Sequence, residues 1–138
     1  MKLFRDLIGK SPDQTPVTRF LASNGLIYIV VGAVMVAWPG SMQSVFGEVD
    51  FVGREAGLIR VLGLTVVIIG VLYMLGGRGH SKQIIAVSIL CRPVLVPATI
   101  IPLAIGGVFP GLLYTFVILD VGLSLIMLVI YRRHERGG

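Results

Sequence analysis

Cys91-Arg92-Pro93-Val94-Leu95-Val96-Pro97-Ala98-Thr99-Ile100-Ile101-Pro102 lies inside an apolar run, Ile84 to Ile105, that is long enough to cross a bilayer. Into the middle of that run the sequence puts a guanidinium and three prolines. Each proline lacks an N–H and frees the carbonyl four residues back, those of Ile89, Pro93 and Ala98. In lipid such carbonyls need a partner within protein or trapped water. A charge at mid-depth costs about 3 kcal/mol on insertion scales unless it is paired. Asp120 is the acidic residue deep enough in another apolar run to pair with Arg92. The stretch therefore predicts a membrane helix interrupted around a buried ion pair.

Composition agrees. Of 138 residues, 55% are hydrophobic and only 14% charged, where a soluble domain carries about 25% charged residues. The net charge of +5 does not point to nucleic acid, because the basic residues flank apolar runs. Cys91 is the single cysteine, so no intrachain disulfide forms. The first apolar run ends in Trp38-Pro39-Gly40 without a small-x-small cleavage site, and so reads as a span rather than a signal peptide. Lys2 follows the initiator, where myristoylation needs glycine, and no C-terminal cysteine invites prenylation.

Working outward, the chain divides into an N-terminal cytoplasmic or interfacial segment (1–19), a membrane domain (20–131) and a basic tail (132–138). Spans are expected at about 20–38, 56–75, 84–105 and 112–131. In the first segment Leu3, Phe4, Leu7 and Ile8 recur at helical spacing, as in a helix lying on the membrane surface. Gly25 and Gly32 in span one, and Gly63, Gly70 and Gly77 in span two, repeat at seven, the pattern of close helix approach in a left-handed bundle. Outside the spans, Lys2, Arg5, Lys10, Arg19, Arg78, Lys82, Arg132, Arg133 and Arg136 fall on one side, and Arg54 alone on the other. The positive-inside rule then puts both termini in the cytoplasm, with Trp38 and Tyr114 as outer anchors and Tyr73 and Tyr131 as inner ones. The expected fold is an all-α, antiparallel four-helix transmembrane bundle. Its expected location is a plasma (bacterial-type inner) membrane, crossed several times.

Helix rise sets rough depths. From the cytoplasmic side Asn24 lies at about 6 Å, and Tyr28, Arg92 and Ser124 at about 11 to 12 Å. Asp120 lies at about 17 Å and Arg60 at about 22 Å, so the carboxylate stands between two guanidiniums. Phe116, Asp120, Ser124 and Met127 share one face of span four, and Ser88, Arg92, Leu95 and Thr99 share one of span three. If those faces meet, Tyr28, Arg92, Asp120 and Ser124 form one network, with Pro97 bordering it and Asn24 and Arg60 as secondary members. Such a network either fixes helix register or holds a ligand in a cavity opened by the proline-broken helix. Arg60 has a second reading, snorkelling beside Glu55. His80 and His134 stand apart, without the clustered ligands a metal needs, and no catalytic set is evident. Glu48 and Asp50 read as charges that keep the outer loop in water. Cys91 reads as a packing thiol.

The charged opening of span two (Arg54-Glu55, then Arg60), the interrupted span three and the Ile118-Leu119-Asp120 of span four give the chain a layout that resembles the small DoxX-like four-helix membrane proteins. The resemblance implies their architecture and no particular chemistry. The leading functional expectation is a polytopic protein that binds, or also translocates, a lipid, a quinone-like molecule or a small anion in its polar interior. Alternatives are a non-catalytic accessory subunit docking on a larger membrane complex (or a second copy of itself) through its glycine seams, and an enzyme on a lipid or isoprenoid substrate. The residues name no cofactor.

Overall fold

The computed structural model describes residues 15–51, 53–79 and 81–136. The surface helix expected over Leu3 to Ile8, and His80, lie outside the described residues. Six helices follow in order among them: α1 (Pro16–Ala37), α2 (Gly40–Phe46), α3 (Glu55–Arg78), α4 (Lys82–Leu90), α5 (Arg92–Ile105) and α6 (Pro110–Arg136). Their ends follow local chemistry. Pro16 opens α1, where its missing N–H breaks no bond, and the Thr15 hydroxyl caps the Thr18 N–H at 3.3 Å. Gly47, at φ +65°, stops α2 in the left-handed region. The Ser81 hydroxyl caps α4 at the Ile84 N–H.

α1 and α3 are zipped together. Leu21, Gly25, Tyr28, Gly32 and Met35 on α1 alternate at four and three, as do Ile59, Gly63, Val66, Gly70, Tyr73 and Gly77 on α3. The glycines let backbone touch backbone. A Cβ on Gly25 would stand 2.5 Å from the Gly70 carbonyl oxygen, and one on Gly77 2.6 Å from that of Thr18. The glycine seams of α1 and α3 are thus occupied by each other within the chain. The opposite side of α3 carries Leu58, Val61, Leu64, Ile68 and Leu72, all more than half exposed. Apolar faces of that extent belong in lipid.

α5 packs on α6, α1 reaches across to α6, and α4 touches α1, α3, α5 and α6. One apolar cluster (Val17, Leu21, Ile85, Ile89, Met127) fills the end where α1 and α4 begin. A second (Met35, Met42, Ile59, Leu112) fills the other end beneath α2. Three helices are long and apolar enough to cross a membrane, and a fourth span arises if α4 and α5 count as one, bent by 44° at Cys91. One expectation is corrected. Ser88 and Arg92 are buried, but Leu95 (62% exposed) and Thr99 turn outward. All but Ser88 lie on α5, beyond the break, so the difference comes from side-chain length: Arg92 reaches from the start of α5 in to Asp120, while Leu95 and Thr99 on the same helix point outward.

The connection between α1 and α3 also differs from its reading as a segment kept in water by its charges. Met42 and Ser41 are buried, and a Glu48 carboxylate oxygen accepts from the Leu112 N–H at 2.9 Å. Glu48 therefore caps α6, whose first-turn N–H groups and positive dipole end favour an anion. Gly111 makes room, since a Cβ there would lie 2.5 Å from the Phe46 carbonyl oxygen.

Candidate functional site

Midway between the two apolar clusters, Tyr28 on α1 and Asp120 on α6 face each other, and Arg92 reaches in from the start of α5. Pro93 falls in the first turn of α5, where lack of an N–H costs no helical bond. The bend therefore precedes it, at Cys91. Arg92 is 5% exposed and Asp120 7%. Their Nη2–Oδ1 separation is 2.5 Å, the single salt bridge among the described residues. Nη2 also donates to the Tyr28 hydroxyl, and Nη1 donates to the Ser88 hydroxyl at 3.2 Å. The guanidinium carbon sits 5.0 Å from the ring centres of both Tyr28 and Tyr73, and the two rings meet edge to face at 5.9 Å. The cation is thus held by one anion, two hydroxyls and two aromatic faces. That arrangement offsets the cost of burying it.

Several expected members fall into place and others do not. Tyr28, Arg92 and Asp120 meet directly. Ser124 is buried in the same layer, but its hydroxyl donates to the Asp120 carbonyl at 2.8 Å and not to the charged groups. Pro97 is half-buried further along α5 and lines neither of the two cavities described below. Arg60 is exposed on α3, outside the cluster. It makes no salt bridge to Glu55 among the described residues. Asn24 is 1% exposed, and neither its amide nitrogen nor its oxygen has a partner among the described residues. A buried amide unsatisfied at both atoms costs several kcal/mol in a medium without water, so it offers a donor and an acceptor to any polar occupant. No group of His, Cys, Asp and Glu suited to a metal occurs among the described residues.

Sequence reasoning missed Tyr73 and Ser88 as partners of the cation. Tyr73 read as an interfacial anchor, yet it holds a seam position three residues after Gly70, and that register aims it inward. Ser88 lies one turn before Arg92, and its hydroxyl is the local acceptor for a side chain directed back along α4.

Beside the Tyr28 ring, away from its hydroxyl, lies a carbon-lined cavity of about 90 Å³. Ile27, Val31, Phe46, Val66, Phe116 and Leu119 form its walls with Tyr28 and Thr115. Of the four residues expected to border an opening, Tyr28, Arg92, Pro97 and Ser124, only Tyr28 lines this cavity, and none lines the groove at the α4 end. The guanidinium, packed against both rings, fills the space next to Asp120.

Fold and site together define the class: a helical membrane protein of three to four spans with a buried arginine–aspartate pair at its centre. Comparisons with protein-family models, with curated proteins and with solved structures find no match to this chain.

Proposed function

We propose that this protein binds a small lipophilic ligand inside a four-span antiparallel bundle with both termini in the cytoplasm. One observation carries the reading. Tyr28 joins a buried guanidinium–carboxylate cluster on one side to a carbon-lined cavity on the other. Engineered apolar cavities of about 150 Å³ hold a benzene ring. A cavity of about 90 Å³ suits a smaller group, such as the branched end of an isoprenoid or one edge of a ring. The polar end of the same molecule would reach the Tyr28 hydroxyl only as the ring shifts, because the cavity exposes no polar surface and Asn24 does not line it. The phenol accepts from Arg92 and keeps its own proton to donate. A lipid, a quinone-like molecule or a prenyl alcohol has both parts, and a small inorganic anion lacks the apolar one.

Arg92 and Asp120 supply orientation in this scheme. Asp120 fixes the guanidinium, and the guanidinium fixes the Tyr28 hydroxyl. An accessory-subunit role would need a docking face other than the glycine seams, which α1 and α3 use on each other. Gentle extraction from native membranes, followed by solvent extraction and mass spectrometry, distinguishes the two. One lipophilic molecule per chain supports the proposal. A stoichiometric protein partner with no retained small molecule refutes it.

A further inference from the structure

At the end of the molecule where α1 and α4 begin and α6 finishes, an open groove of about 440 Å³ runs between the three helices. Its volume falls in the range of small-molecule sites, about 300–1,000 Å³. Ile85, Ile89, Leu90 and Leu128 make its floor and walls apolar, while Lys82, His134 and Thr15 stand at its mouth. It shares no lining residue with the cavity beside Tyr28. From Lys82 to Leu90 it follows α4 for about 12 Å.

Two features make the mouth attractive to an anion. The first turns of α1 and α4 converge there with the positive ends of their helix dipoles, their starts capped by Thr15 and Ser81. Lys82 adds a full charge beside them, and the last turn of α6, from which His134 lines the groove, also carries Arg133 and Arg136. Against these stands Glu135, the one acidic residue of that turn. A cationic mouth above an apolar trough matches an amphiphile with an anionic head, and in a bilayer that is an anionic phospholipid. We infer that this groove binds one anionic phospholipid, with its phosphate at Lys82 and its upper acyl chain along Ile85, Ile89 and Leu128. The site is independent of the ligand proposed for the interior.

The test uses the full chain in detergent micelles with equimolar phosphatidylglycerol and phosphatidylcholine of identical acyl chains, and native mass spectrometry counts the retained lipids. The expected result is one phosphatidylglycerol per chain, retained several-fold over phosphatidylcholine. Lys82→Gln should lower that preference about fivefold, one basic residue's share of attraction to anionic lipid. Ala86→Trp, which fills the exposed groove wall, should remove the adduct while leaving the unfolding midpoint unchanged. Equal retention of the two lipids, or a preference indifferent to both substitutions, would overturn the inference. So would quantitative disulfide formation between Phe4→Cys and Ala86→Cys in a Cys91→Ser background, because the chain's own first residues would then fill the groove.

Discussion

Removing one partner of the Arg92–Asp120 pair should cost much more than removing both, and the two single losses should differ. With Arg92→Leu, the Asp120 carboxylate loses the donor at 2.5 Å and faces an interior where it is 7% exposed. An uncompensated buried charge costs about 3–5 kcal/mol. Asp120→Asn is milder. Arg92 keeps the Tyr28 and Ser88 hydroxyls and the two rings at 5.0 Å, each ring contributing about 0.5–2 kcal/mol to a desolvated cation. The asparagine oxygen still accepts a hydrogen bond, so a loss of about 2–3 kcal/mol is expected. The double variant Arg92→Leu/Asp120→Asn buries no charge and should recover at least the charge-assisted hydrogen bond's worth, about 1.5–3 kcal/mol, relative to the sum of the singles. Titration of the protein from mild micelles into dodecyl sulfate, followed by circular dichroism, gives the four stabilities. Single losses that add to within about 0.5 kcal/mol would refute the coupling on which the site is built.

Other consequences are more local. Gly70→Ala should destabilise by about 1–3 kcal/mol, since its Cβ would meet the Gly25 carbonyl oxygen and the Ile29 nitrogen at 2.7 Å. Gly122→Ala, with nothing within 4 Å, should be neutral or better in the same titration. Glu48→Ala should cost about 0.5–2 kcal/mol, the value of a lost helix cap, and should speed hydrogen exchange at the Leu112 amide. In a background lacking Cys91, cysteines at Ser81 and at Ser41 or Gly107 should react with impermeant reagents from opposite faces of the membrane. Labelling of Ser81 and Ser41 from the same face would end the four-span arrangement.

The parts legible in the sequence were those set by distance along a helix. Apolar run lengths gave the spans, and rise per residue placed Arg92, Tyr28 and Asp120 within one side chain's reach. Glycines repeating at seven marked the faces that α1 and α3 press together. What stayed hidden depended on how helices turn and where loops return. Arg92 stands at the start of α5 and its long side chain reaches inward, whereas Leu95 and Thr99 on the same helix turn outward, a difference that spacing alone does not announce. Two cations flanked Asp120 in depth, and rotation of α3, set by its seam, takes Arg60 outward. The same rotation brings Tyr73 in. Glu48 meets Leu112 across 64 residues, a pairing no local pattern announces. Burial of Asn24 without partners, and a cavity on the far side of Tyr28, arise only when three helices are assembled.

The central claim is that the space beside Tyr28 holds part of a ligand, and a structure of the protein in a lipid nanodisc, prepared directly from native membranes, addresses it directly. The account predicts non-protein density between Phe46, Val66 and Phe116, against the Tyr28 ring, and its loss in a Val66→Phe variant that fills the cavity. Side chains of Ile27, Val31, Phe46 and Phe116 collapsed onto the Tyr28 ring, with no density among them, would contradict it.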